Sequence, residues 1–160
     1  MDPDDVLSGQ GTVAGGGRFA AIGMRAVYLS TTDTGASKET TARKPRVGGS
    51  AQISTAKYPR IVFAVTSKLL SVLRLDDLRS SAPGDDVRKA CLDENDLAAS
   101  VDVATQLEKA DIQGIIFPSV VKGGDDNLIV YVANCDPGAL QIQNEDEFVQ
   151  EAKKMVTKRR

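Results

Sequence analysis

Apolar positions along the chain fall into short runs of two periods. Residues 26 to 30 (A-V-Y-L-S) alternate between turn residues and predict a strand. R-I-V-F-A-V (60 to 65) and S-V-L-R-L (71 to 75) are rich in β-branched and aliphatic residues and predict two more. G-I-I-F (114 to 117) and N-L-I-V-Y-V-A (127 to 133) flank a Gly-Gly-Asp-Asp turn, as a hairpin with a wide loop would. Helical spacing appears elsewhere. Val101, Ala104, Leu107 and Ala110 predict an amphipathic helix over 101 to 110. Phe148, Ala152 and Met155 or Val156 predict another over 144 to 158, acidic early and basic late as the helix dipole favours. A short helix is expected over 34 to 44, capped by Thr34 and stopped by Pro45, and another over 86 to 92. Residues 1 to 17, 47 to 57 and 79 to 86 read as irregular chain or loop, 47 to 57 alternatively as a weak strand.

Strands and helices mix without strict alternation, so the expected class is α+β, with mixed or antiparallel sheets and short helices. With 160 residues the chain is expected to form a single domain over 1–160, its core at about 7–140 and a C-terminal helix at about 144–158. Aromatic residues are only 4%, so the core must rest on aliphatic side chains. A net charge of -2 gives no argument for a nucleic-acid partner. There are no histidines, which excludes His metal sites, the Ser-His-Asp triad and the Cys-His dyad. Cys91 and Cys135 sit beside apolar residues and read as buried free thiols of a reducing compartment. The acidic start M-D-P-D-D-V is unlike a signal peptide, and no apolar run spans a membrane, so a cytoplasmic location is expected.

Four polar residues stand out. Arg18 ends the glycine run G-G-G-R-F, whose spacing matches neither a dinucleotide fingerprint nor a P-loop. On composition that run is a flexible loop; the sharper reading is backbone that approaches a phosphate while a guanidinium grips two of its oxygens. Tyr28 interrupts an apolar strand, either as half-buried core or as a platform for a flat ring. Glu39 is a surface charge or a carboxylate that stabilises an oxocarbenium-like centre. Ser119 ends G-I-I-F-P-S, as a turn residue or a pocket hydroxyl. The pairs Asp85/Asp86 and Asp125/Asp126, the cluster Arg43, Lys44 and Arg46, and the basic C-terminal tail read as solvated charge. D-D-N-L lacks calcium-loop spacing, and no metal site is expected.

In joint order these segments resemble the RES domain, named for its Arg, Glu and Ser. L-S-G-Q-G-T-V-A-G-G-G-R-F and A-V-Y-L-S-T-T-D-T-G-A-S-K-E look like its S-G-x-G, G-G-R-[WF] and L-Y-x-S elements and its Glu-bearing helix. A-T-Q-L-E-K-A-D-I-Q-G-I-I-F-P-S-V and D-N-L-I-V-Y look like its later helix, P-S element and N-L strand, so the likeness covers roughly residues 7 to 133. The resemblance implies an ADP-ribosyltransferase-like fold and a toxin of a bacterial toxin–antitoxin pair. It implies cleavage of NAD at the nicotinamide–ribose bond by hydrolysis or phosphorolysis, with NAD as substrate, phosphate as a candidate co-substrate and no cofactor. Its implied partner is an Xre-like helix-turn-helix antitoxin, without direct nucleic-acid or membrane binding. Carried over by position, Arg18 holds the NAD phosphates or ribose, Tyr28 stacks on nicotinamide, Glu39 orients the ribose, and Ser119 lines the pocket. Asn127 matches a family position without an assigned role. The alternatives are ADP-ribosyl transfer to a macromolecule and a non-catalytic remnant that still binds an antitoxin.

Overall fold

The computed structural model describes residues 3–42, 62–80, 82–93, 95–121 and 125–157. Its centre is a four-stranded sheet of β1 (Ala26–Ser30), β3 (Val72–Arg74), β4 (Gly114–Pro118) and β5 (Asp126–Tyr131), in the order β1-β5-β4-β3. The β4–β5 and β5–β1 pairs are antiparallel, while β3 lies parallel to β4. A parallel neighbour needs a crossover. Here it consists of a 3₁₀ turn (Leu75–Ser80), α4 (Ala82–Cys91) and α5 (Ala98–Lys109).

Strand alternation fixes which side chains share a face. Register pairs Tyr28 with Ile129, Ser30 with Asn127, Leu73 with Ile115, and Phe117 with Asn127. One face therefore presents Ala26, Tyr28 and Ser30 of β1, Asn127, Ile129 and Tyr131 of β5, and Ile115 and Phe117 of β4. Cys91 of α4 and Ala104 of α5 join Ile115, Phe117, Ile129 and Tyr131 in the main buried cluster. Arg74 and Asp126 fall on the opposite face, where they pair at 2.6 Å. A second, two-stranded sheet joins β2 (Val65–Ser67) to β6 (Leu140–Ile142). The final helix, α6 (Glu145–Thr157), is tied to it by the edge-to-face rings of Phe63 and Phe148, 4.9 Å apart.

Several expectations change. The first residues are not irregular: α1 (Pro3–Leu7) and α2 (Gln10–Val13) precede the glycine run. Gly9 makes that possible, at φ 69° and so close to β1 that a Cβ would lie 2.7 Å from the Ala26 nitrogen. The helix α3 (Asp33–Ala42) is capped by Thr32 rather than Thr34, since Thr32 Oγ1 accepts the Gly35 N–H at 2.9 Å. Much of residues 79 to 86 is helical, because Pro83 falls in the first turn of α4, where its missing N–H costs nothing. Of the strand expected over 60 to 65, residues 60 and 61 lie outside the described residues, 62 to 64 are not in a strand, and β2 starts at Val65 to match the three residues of β6. Residues 47 to 57, Pro45 and the cluster Arg43, Lys44 and Arg46 lie outside the described residues. Cys91 is buried as expected, but Cys135 is only half-buried. Among the described residues no helix is long and apolar enough to cross a membrane.

Tyr131 is wholly buried, and its hydroxyl has no hydrogen-bond partner among the described residues. Burial, then the neighbouring Tyr28 and Glu108, push this phenol far above its ordinary value of 10.0. The folded chain thus holds a proton that the unfolded chain releases at alkaline pH, so this contribution to stability is full below pH 10 and is lost as pH rises beyond it. Tyr131→Phe keeps the ring and removes the orphan hydroxyl. It should stabilise the fold by about 1 kcal/mol and flatten the alkaline loss, read by urea unfolding at pH 7 and pH 10.5. A destabilised variant with an unchanged pH profile would contradict this reading.

Candidate functional site

Arg18 is presented by a tight turn rather than by a flexible loop. Gly17 and Ala20 form an isolated bridge, with reciprocal backbone hydrogen bonds of 2.8 and 3.1 Å. Arg18 and Phe19 are the two central residues. Phe19 has φ 56°, a left-handed conformation that a type II turn demands at its second corner and glycine ordinarily supplies. An aromatic residue there is strained by about 1–3 kcal/mol. Burying a Phe side chain is worth about 1.5–3 kcal/mol, a matching sum. The Phe19 ring is wholly buried, 4.7 Å from that of Phe117.

Both ends of Arg18 are held. Its carbonyl accepts the Tyr28 hydroxyl at 2.5 Å. Its guanidinium donates to the Leu92 and Asp93 carbonyls, each at 3.2 Å, just beyond the C-terminus of α4. A cation is favoured at that end of a helix. Among the described residues these two bonds use two of its five N–H groups. Gly17 is required by contact, not by φ: a Cβ there would collide with the Tyr28 hydroxyl. The nearby Cys91 thiol is pushed up by burial, and the Arg18 charge offsets part of that shift.

The second half of the site surrounds Glu39, on α3. Its Oε1 accepts the Ser119 hydroxyl at 2.5 Å and the Asn127 side-chain amide at 2.8 Å. Ser119 Oγ itself accepts the Val121 N–H at 3.0 Å, which directs its own proton to Glu39. Ser119 follows β4 directly, and Asn127 lies in β5, so three elements meet at one carboxylate oxygen.

Tyr28 and Asn127 bring the two halves to the same face of the sheet. Tyr28 and Asn127 are diagonal neighbours across β1 and β5, a spacing of roughly 7–8 Å. Phe19 rests on Phe117, two residues before Ser119. No direct contact joins the Arg18 guanidinium to Glu39. A cavity of about 330 Å³ runs beside β1, lined by Gly11, Gly16, Gly17, Val27, Tyr28 and Phe63 among others. Arg18, Glu39 and Ser119 are not in its lining, so of the site the cavity reaches only Tyr28 and the glycines before Arg18. Among the described residues no three His, Cys, Asp or Glu side chains cluster as a metal site would require. Asn127 is the site residue to which pattern alone assigns nothing. Besides its match to a family position, the signal for it is an amide at a position whose alternate strand neighbours, Ile129 and Tyr131, face the core.

Gly17→Ala tests the packing of the turn on Tyr28. The added methyl should push the phenol off the Arg18 carbonyl and lower the thermal midpoint by roughly 3–8 °C. Tyr28→Phe in the Gly17→Ala background should recover part of that loss. Equal midpoints for Gly17→Ala and the parent chain would refute the contact.

Comparison with known proteins bears on the fold and the family. A search of curated proteins finds no match. Among solved structures, a chain of the crystal structure of the M. tuberculosis MbcT–MbcA toxin–antitoxin complex superimposes with a TM-score of 0.61 at 18% identity. The match covers 86% of this chain and 74% of that one, a shared fold. The family model of the RES domain matches residues 3–150, which include Arg18, Tyr28, Glu39 and Ser119. The chain belongs to the RES domain family.

Proposed function

We propose that this chain is an NAD-consuming toxin that breaks the nicotinamide–ribose bond. The observation that carries the reading is the Glu39 carboxylate, pinned through one oxygen to Asn127 on the sheet face that also bears Tyr28, whose hydroxyl holds the Arg18 turn. A fixed anion beside a ribose stabilises the positive charge that grows at its anomeric carbon. In this reading the Arg18 guanidinium takes oxygens of the diphosphate, and the Tyr28 ring supports nicotinamide. Binding energy along the adenosine and diphosphate holds the reacting ribose in place.

The balance of the step is simple. The glycosidic C–N bond breaks with its electron pair going to nicotinamide, which leaves neutral. Positive charge passes to the ribose carbon. Water or phosphate then adds there, giving ADP-ribose and a proton, or ADP-ribose phosphate. NAD is the substrate, and the scheme uses no metal and no other cofactor. A toxin of this kind needs a restraint in its own cell. The relative in the MbcT–MbcA toxin–antitoxin complex supports a protein antitoxin as the partner. A helix-turn-helix protein of Xre type fits the family resemblance, and such a pair would act in the cytoplasm.

Purified chain incubated with NAD should release nicotinamide, measured by chromatography with and without phosphate. Glu39→Gln should slow release by roughly 10²–10³-fold while leaving the thermal midpoint within a few degrees. No release under either condition would overturn the proposal. Radiolabel from NAD appearing on lysate proteins or nucleic acid would favour ADP-ribosyl transfer instead.

A further inference from the structure

The two oxygens of Glu39 are not equivalent. Oε1 receives two donors, the Ser119 hydroxyl and the Asn127 Nδ2, which fill the two lone pairs of a carboxylate oxygen. Among the described residues nothing bonds Oε2. Asn127 is the more constrained of the two donors. Its neighbours in register, Ser30 on β1 and Phe117 on β4, hold it from both sides. A strand residue between two paired strands cannot rotate its backbone to follow a moving helix. Only the amide orientation with Nδ2 toward Glu39 sets a donor against an acceptor. Ser119, by contrast, lies just past the strand end, at the start of the β4–β5 connection.

We infer that Asn127 is a positioning residue, which fixes the Glu39 carboxylate so that Oε2 alone is presented to the substrate ribose. The inference rests on the NAD-cleaving reading for what Oε2 meets, but its structural half does not. Without the amide, the Ser119 hydroxyl alone holds the carboxylate, and a single bond lets it turn about its last torsion and exchange its oxygens. The other charged groups near this point are otherwise engaged. Asp126 points to the opposite face and pairs with Arg74. Asp125 accepts the Thr32 hydroxyl. Lys38, the neighbour of Glu39 on α3, has an interaction of its own.

Asn127→Asp tests this with almost no change of shape. It replaces the donor by a second carboxylate facing Oε1, and two facing carboxylates tend to share one proton. At pH 8 kcat/KM for NAD should fall by roughly 30-fold or more, the scale of a lost hydrogen bond to a charged group. Toward pH 5.5 the shared proton restores a donor, and the deficit relative to the parent chain should narrow to about 5-fold. In the same proteins, ¹³C relaxation of the Glu39 γ-methylene should show an ordered group in the parent and a mobile one in Asn127→Asp at pH 8. If that variant fails to fold at pH 8, Glu39→Gln with Asn127→Asp reverses donor and acceptor and should restore an ordered residue 39 without restoring turnover. Parent-like kcat/KM at pH 8, a deficit equal at every pH, or an equally ordered γ-methylene would each overturn the inference. A parent chain that does not consume NAD would instead end the NAD reading, and the mobility of Glu39 would then decide the role of Asn127.

Discussion

One carboxylate oxygen holds the candidate site together. Glu39 Oε1 joins α3 to the end of β4 through Ser119 and to β5 through Asn127. The helix that bears it is fastened largely by polar contacts among the described residues. Its apolar content is low, and its start depends on the Thr32 cap, itself bonded to Asp125 at the entry to β5. Polar contacts therefore do for α3 what apolar packing does for α4 and α5. A half-buried network of charge-assisted hydrogen bonds defines a geometry more sharply than an apolar contact of similar strength.

The Arg18 turn answers the same requirement by other means. A phenylalanine with positive φ survives because its ring is buried against Phe117, and because Tyr28 ties down the carbonyl between the two corners. Backbone strain tends to persist where the surroundings over-determine it, and such places are often functional. The consequence is a guanidinium whose root cannot wander, with its tip against the end of α4. Phe117 links the two halves, since the strand that carries it runs directly into Ser119.

Much of this was legible in the chain, and the failures have physical causes. The alternation of A-V-Y-L-S and N-L-I-V-Y and the helical spacing of Val101, Ala104 and Leu107 are strong local signals, and β1, β5 and α5 follow them. The hairpin of β4 and β5 follows from proximity in sequence. The parallel pairing of β3 with β4 does not, because its contacts lie some forty residues apart and no local pattern encodes them. Pro83 and Gly84 look like loop residues, yet the first turn of a helix tolerates both. Gly15 to Gly17 look like slack chain, yet Gly16 and Gly17 are glycines because neighbouring atoms leave no room for a side chain. Arg18, Tyr28, Glu39 and Ser119 were nameable through joint motif order. Asn127 matched a family position too, but its role was not legible, because it depends on a hydrogen bond across 88 residues.

Backbone amide shifts of the ¹⁵N-labelled chain, followed as NAD is added, test the shared site most directly. The expected result is saturable change centred on Gly17, Arg18, Tyr28, Glu39, Ser119 and Asn127. Changes confined to Cys135, Asp136, Gly138 and Leu140 of the neighbouring cavity, or none up to millimolar NAD, would contradict it.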